Sequence, residues 1–297
     1  MRDDIRPAGA IALQAVQVHG QVRRRGRRLL GPLDAQFQPG RVTAVLGPNG
    51  AGKSTLLSVL TGWRRPDAGT VHWQGRPLPQ ISPAALARQR ALVAQDTQVA
   101  ADFRVHELVA LGLLPARPAD PEACVRQAIA ACGLAGLADR SVATLSGGER
   151  ARAQLARALV QIEALSPPVA GAPARWLLLD EPTAALDLQH QHALLQLVRQ
   201  CALAGGIGVV VVLHDLNLAL RHADDALVLQ QGRARALGPV RQVLQPALVQ
   251  DVWQVQGRVM QADDDVPQYL WQPPADGPLT SPWHAGAAGG PASRPPA

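Results

Sequence analysis

The sequence predicts an α/β fold built on a mainly parallel sheet, and three observations predict it. Apolar runs of strand length at 42–46, 176–179 and 207–213 are continuous rather than alternating, as in strands covered on both faces. Between them lie segments with helical spacing, such as Leu194, Leu197, Val198 and Cys201, and strand alternating with helix is the pattern of a parallel sheet. The third observation is chemical. The first run feeds Gly47-Pro48-Asn49-Gly50-Ala51-Gly52-Lys53-Ser54-Thr55, and a second apolar run at 56–60 follows. Strand, glycine-rich turn and helix in that order form a phosphate-binding loop: the glycines let successive N–H groups aim at phosphate oxygens, and the opening helix adds its positive end. Nucleotide polyphosphate is the ligand this predicts. Lys53 is placed for the β- and γ-phosphates, Ser54 for Mg²⁺, and Thr55 for the loop or the α-phosphate.

The elements follow in order. Residues 11–18 alternate apolar and polar as a half-buried strand does, and Leu33, Ala35 and Phe37 alternate again before Pro39-Gly40 turns the chain into the loop-bearing strand. Asp67-Ala68-Gly69 reads as a turn before the short strand 70–73, and Gln74-Gly75 as another turn. Ser82-Pro83 reads as an N-cap with proline at the first helical position, and a strand at 91–94 ends at Gln95. The texture then becomes helical: 105–114, then a segment capped by Asp120-Pro121-Glu122, with Val125, Ile129 and Cys132 in helical register until Gly133. Leu145-Ser146-Gly147-Gly148-Glu149 opens a helix running to about Val160. Ser-x-x-Glu is a capping box, which accounts for Ser146 and Glu149 but not for the double glycine. The strand at 176–179 ends in Asp180-Glu181, the strand at 207–213 in His214-Asp215, and 226–229 supplies one more strand before the Gln231-Gly232 turn. From Pro273 to residue 297 Pro, Gly, Ala and Ser dominate, and the tail is expected to be disordered.

Composition narrows the function. The chain has 297 residues, 47% hydrophobic, enough for a sizeable core, yet no apolar run approaches the roughly 20 residues of a spanning helix. The N-terminus lacks the apolar segment of a secretory signal, so a cytosolic location is expected. Cys124, Cys132 and Cys201 are too few and too far apart for a disulfide framework or a zinc site, and read as small core residues. The formal net charge of +6 is concentrated in Arg23, Arg24, Arg25, Arg27 and Arg28 around Gly26. With only 3% aromatic residues and none interleaved there, a stacking platform for nucleic acid is not expected, and the cluster reads as a solvated β-turn, open to facing lipid headgroups.

In an open parallel sheet, ligands sit beyond the carboxyl ends of the strands, where the phosphate loop, Asp180-Glu181 and His214 all fall. Asp180 is placed to hold Mg²⁺, directly or through water. Glu181 is placed to accept a proton from the water attacking the γ-phosphorus, or to orient it, and His214 to hydrogen-bond the γ-phosphate.

The order of 47–55, Gln95, 145–149, 177–181, Ala185-Leu186-Asp187 and His214 resembles the nucleotide-binding subunit of an ABC transporter, over roughly residues 11–245. The resemblance implies a phosphate-loop NTPase (RecA-like) core with an N-terminal antiparallel β subdomain, a helical subdomain inserted at about 96–165, and a C-terminal extension at 246–272. It implies a head-to-tail homodimer in which each ATP lies between one protomer's Lys53 and the other's Ser146, Gly147 and Gly148. By the same resemblance Asp187 links the two sites, and Gln95 reaches Mg²⁺ and the attacking water while contacting the permease. The family stacks an aromatic residue on adenine, whereas Val18-His19-Gly20 offers only the His19 ring.

Without fused transmembrane helices, such a subunit works at the cytoplasmic face of the inner membrane with a separate permease dimer, served by a periplasmic or surface substrate-binding protein, and never touches cargo itself. Among importers the chain resembles most those for haem (hemin), ahead of ferric siderophores and cobalamin. The resemblance lies in the run 84–91 before Gln95, the proline-rich insert at 166–174 and Leu186-Asp187-Leu188-Gln189-His190-Gln191-His192. Segment 96–115 is the expected surface for the permease's cytoplasmic helix. The contrasting expectation is a soluble, non-transport ATPase of the same fold acting on ribosomes or DNA, which the single compact cassette disfavours.

Overall fold

The computed structural model describes residues 9–19, 28–95, 102–116, 118–164, 171–262 and 264–272. Gly20, the arginines at 23–27, residues 96–101, most of the proline-rich insert and the 273–297 tail lie outside the described residues.

The chain begins with β1 (Ile11–His19) and β2 (Arg28–Phe37), passes through β3 (Val42–Leu46) and α1 (Lys53–Leu60), and returns through β4 (Ala68–Trp73) and β5 (Arg76–Pro77). Four of these strands form an antiparallel sheet in the order β2-β1-β4-β5. The alternation expected over 11–18 is interrupted: Ile11, Ala12 and Leu13 are all buried, Ala15 takes a φ of 48°, and the register shifts before Val16 and Val18 return to the core. The bulge is held because the Ala15 N–H donates to Asp34 Oδ1 at 2.8 Å, which offsets the roughly 1 kcal/mol of a left-handed alanine. The strand expected at 70–73 starts earlier, at Ala68, because Ala68 already pairs with Gln17.

Next come α2 (Pro83–Gln89), capped by Ser82 as expected, and β6 (Arg90–Val93). The helical region holds α3 (Val105–Ala110), α4 (Pro121–Ala131) with Asp120 accepting from the Ala123 N–H at 2.9 Å, and α5 (Gly147–Gln161). The helix expected over 105–114 tightens into a 3₁₀ turn at Leu111–Leu113, where Gly112 lies against the Arg157 carbonyl of α5.

The main sheet adds β7 (Trp176–Asp180), β8 (Gly208–Val212) after α6 (Leu188–Gly205), and β9 (Asp225–Gln230) after α7 (Leu216–His222). With β10 (Arg233–Pro239) its order is β10-β9-β3-β8-β7-β6, parallel throughout except for the β10–β9 hairpin. Its strands are apolar end to end because both faces are covered. Ala44, Leu46, Leu177, Leu179, Val209 and Val211 face the core shared with the helices. Val45, Trp176, Leu178, Val210 and Val212 face the core shared with the antiparallel sheet. Trp73 and Trp176, both fully buried with ring centroids 6.0 Å apart, join the two sheets. Of the cysteines, Cys132 and Cys201 are buried in the core, and Cys124 is partly buried and packs against it.

The C-terminal stretch has structure that the sequence reading does not assign: α8 (Val240–Val243), α9 (Pro246–Trp253) and a hairpin of β11 (Gln256–Gln261) with β12 (Pro267–Gln272). Asn217 of α7 pins the hairpin by donating to the Tyr269 carbonyl at 3.1 Å and accepting its N–H at 2.7 Å. Arg221 pairs with Asp264 at 2.6 Å. No helix among the described residues is long and apolar enough to cross a membrane.

At the end of α7, His222 is buried with its Nε2 2.9 Å from His192 Nδ1. Burial, then His192, Arg221 and Arg199, push its pKa down to about 4 from 6.5. Between those values the unfolded chain binds a proton that the folded chain refuses, so stability is expected to fall as pH drops from about 6.5 to about 4 and to level off below. Urea midpoints across that window check this. His222→Gln should flatten the slope, and an unchanged slope would contradict it.

Candidate functional site

Three adjacent parallel strands position the site. β3, β8 and β7 lie side by side, so the loops at their carboxyl ends, 47–52, His214-Asp215 and Asp180-Glu181, open on one edge of the sheet.

The phosphate loop is fixed by its neighbours. Gly47 and Gly52 have φ of 147° and 104°, and a Cβ there would lie 2.1 Å from the Leu229 carbonyl oxygen and 2.6 Å from that of Leu29. No side chain fits at either position. The cleft, about 230 Å³, is lined by Leu29, residues 49–55 and Glu181, so Pro48 lies outside the lining while its carbonyl still serves Lys53. Lys53, the only cation among these lining residues, is buried, and its Nζ donates to the Gly47 carbonyl at 2.8 Å and the Pro48 carbonyl at 3.2 Å. Burial pushes its pKa down, against the opposing pull of Glu181 and Asp180. Leu29 escapes sequence reasoning because an apolar residue at the start of a strand looks like core. His19, by contrast, does not line the cleft: its N–H donates to Asp67 at 2.6 Å and its ring nitrogen lies 3.5 Å from the same carboxylate.

Asp180 ends β7 half-buried. Burial pushes its carboxyl pKa up, and a hydrogen bond from the Ser54 hydroxyl works the other way. Its Oδ1 is buried with no hydrogen-bond partner among the described residues. An orphaned carboxylate oxygen beside a hydroxyl costs free energy as it stands, and a hard, oxygen-seeking cation satisfies both groups. The residues present therefore fit Mg²⁺.

Glu181 is held from two sides. Its Oε1 lies 2.5 Å from His214 Nε2, and its Oε2 accepts from Gln95 Nε2 at 2.8 Å. Its φ of 51° is a left-handed conformation that costs a non-glycine residue about 1 kcal/mol, and such strain is kept where a carboxylate must be aimed. Because Gln95 gives its amide nitrogen to Glu181, its amide oxygen is the end left for a cation. A carboxylate steered by a histidine and an amide, beside a phosphate loop, has the parts for activating water against a phosphorus centre.

A second surface gathers the remaining candidates. Ser146 caps α5: its hydroxyl accepts from the Glu149 N–H at 3.2 Å, and its own N–H donates to Glu149 Oε2 at 2.8 Å. These bonds hold the Glu149 carboxyl below its usual range. A Cβ on Gly148 would lie 3.0 Å from Leu186 Cδ2 and 3.2 Å from the Ala185 carbonyl oxygen, a tight fit within the chain that favours glycine. On Gly147 it would make only ordinary contact, 3.4 Å from Ala185 Cβ, and no contact among the described residues demands glycine there.

Asp187 caps α6, accepting from the His190 N–H at 2.9 Å and lying 2.7 Å from its Nδ1; these bonds hold its carboxyl pKa down. The turn between the two surfaces is stitched by Ala184 N–H to the Glu181 carbonyl (3.2 Å) and by Gln191, which donates to the carbonyls of Thr183 (3.2 Å) and Leu186 (3.0 Å). The role of Gln191 is not legible in sequence, since a glutamine one turn into a helix looks like solvated surface.

Comparison with known proteins adds to this geometry. The profile described as "ABC transporter" matches residues 30–184. The chain is similar to the hemin import ATP-binding protein HmuV of Agrobacterium fabrum, 43% identical over 236 residues that cover 80% of this chain and 89% of that one. The same-named protein of Myxococcus xanthus is 44% identical over 273 residues, covering 90% and 97%. Among solved structures, a metal-chelate type ABC transporter in an inward-facing conformation superposes with a TM-score of 0.70 at 24% identity, covering 89% of this chain and 97% of that one. A dimeric bacterial ABC transporter cassette gives a TM-score of 0.68 at 24%, covering 78% and 99%. At these identities the two structures establish the fold.

Proposed function

We propose, from the premise that this chain belongs to the ABC transporter family, that it hydrolyses ATP to drive import of haem (hemin) through a separate permease. The observation that carries the cargo is the pair of relatives named for hemin import, each matched over most of both chains. The chemistry rests on Glu181, held between Gln95 and His214 at the mouth of the phosphate loop.

In this reading the backbone of 47–52 and Lys53 bind the phosphates, Thr55 steadies the loop, and Ser54, Asp180 and Gln95 hold Mg²⁺. The cation, when bound, neutralises phosphate charge and polarises the phosphorus centre. Glu181 takes a proton from the attacking water or orients it, with His214 fixing the carboxylate and facing the γ-phosphate. The exposed surface of Ser146, Gly147 and Gly148 completes the site of a second copy in a head-to-tail dimer, and the 181–187 turn carries the state of one site to the other through Asp187. The geometry that supports this is the division of the candidates into two surfaces, and a Gly147 that no contact among the described residues explains. The dimer sits at the cytoplasmic face of the inner membrane beneath a permease dimer, served by a substrate-binding protein, without touching cargo or nucleic acid.

Growth of a strain lacking this protein, with hemin as its only iron source, tests the reading. Growth should fail, return with the wild type and not with Lys53→Ala, while ferric siderophore and cobalamin use continue. Undiminished growth of the deletion strain on hemin would contradict it.

A further inference from the structure

We infer that the β9–β10 turn is a clasp that sets the phosphate loop for nucleotide, with Gly232 as its positioning residue. The inference rests on the nucleotide reading of the cleft and extends it to a residue 180 positions further along the chain, in a turn that lines no part of it.

Two bonds make the clasp. The Gly232 N–H donates to the Ala51 carbonyl at 3.0 Å, and the Gly232 carbonyl accepts from the Gly31 N–H at 2.5 Å. One residue, through its N–H and its carbonyl, thus ties the phosphate loop to β2 of the antiparallel sheet. The direction of the first bond matters for chemistry. In a trans peptide the carbonyl and the following N–H point opposite ways. With the Ala51 carbonyl turned out to Gly232, the Gly52 N–H is turned the other way, which in this reading is the side that meets phosphate. The same hairpin abuts the start of the loop too, since the Leu229 carbonyl is the group a Cβ at Gly47 would strike.

Gly232 is constrained on both counts that select glycine. Its φ is 76°, and a Cβ would lie 2.9 Å from the Leu29 carbonyl oxygen and 3.0 Å from the Leu29 carbonyl carbon. Leu29 is itself a cleft residue, so any shift that relieves the clash moves the cleft wall and the Ala51 bond together. Another turn supplies a matched control. Gly75, between β4 and β5, has a φ of 81° but nothing within 4 Å of a Cβ. Alanine at either position meets the same backbone penalty, and only alanine at 232 disturbs the loop.

The test measures ADP and Mg²⁺ binding to the full chain by calorimetry, and KM for ATP by phosphate release, for wild type, Gly232→Ala and Gly75→Ala. Gly232→Ala should weaken ADP binding about tenfold and raise KM likewise with kcat held within about twofold, while Gly75→Ala stays within about twofold of wild type on every reading. Equal affinities in the two variants would overturn the clasp. Should Gly232→Ala not fold, amide exchange in the wild type decides: the Gly232 N–H should exchange far more slowly than that of Gly75 and slow further with ADP. Equal exchange, unmoved by ADP, would overturn it. A wild type that binds ADP no better than Lys53→Ala would sink the nucleotide reading and this inference with it, whereas the other contrary results sink the clasp alone.

Discussion

Lys53→Ala is expected to weaken ATP binding by at least about a hundredfold, roughly 3 kcal/mol, while leaving the fold intact. The size follows from isolation. Lys53 is the only cation among the described residues lining the cleft, and it is buried, where its interaction with phosphate is little screened. The survival of the fold follows from the direction of its pKa shift. Burial disfavours the ammonium, so its charge is held at a cost that alanine removes. The Gly47 and Pro48 carbonyls lose a donor, which limits the gain. Calorimetry with ATP under non-hydrolysing conditions, beside a thermal melt, checks both halves. Unchanged affinity would contradict the role of the loop, and a collapsed melting temperature would show that Lys53 is structural.

Glu181→Gln should lower the rate of ATP hydrolysis by about 10²- to 10⁴-fold, the range for loss of a positioned general base, with ATP affinity within a few-fold of wild type. Glutamine keeps the size of the side chain and can still bond Gln95, but it cannot take a proton. Steady-state phosphate release and equilibrium binding measured on the same preparation separate the two effects. Equal turnover in the two proteins would remove Glu181 from the chemistry.

The parts of this site that were legible in sequence are those whose chemistry is local. Residues 47–55 carry the loop's backbone requirements within nine positions, and Glu181 and His214 each follow an apolar strand that announces a buried sheet. Their meeting at 2.5 Å required the strand order β3-β8-β7, which the alternation of elements implies only in outline. What stayed hidden depends on long-range contacts. The bulge at Ala15 is fixed by Asp34, the His192–His222 pair spans 30 positions, and the terminal hairpin is recognised only through Asn217 and the buried Tyr269. Gly232 belongs to the same class. In sequence, Gln231-Gly232 marks a turn, and nothing near it says that the turn reaches Ala51.

The capping box at 146–149 illustrates the opposite limit. Its bonds form as local rules predict, with both Ser146 and Glu149 engaged. Local rules leave Gly147 free, and among the described residues a Cβ there would meet only Ala185 Cβ at 3.4 Å. If Gly147 serves the head-to-tail dimer proposed above, its reason lies in a second copy and is not legible from a single one.

The most direct test of a site shared between two copies is the solution mass of Glu181→Gln by light scattering, with and without ATP and Mg²⁺. The mass should be close to the 31.4 kDa of one chain without nucleotide and should double when ATP is added. A species that stays at one chain's mass under saturating ATP would contradict the shared site.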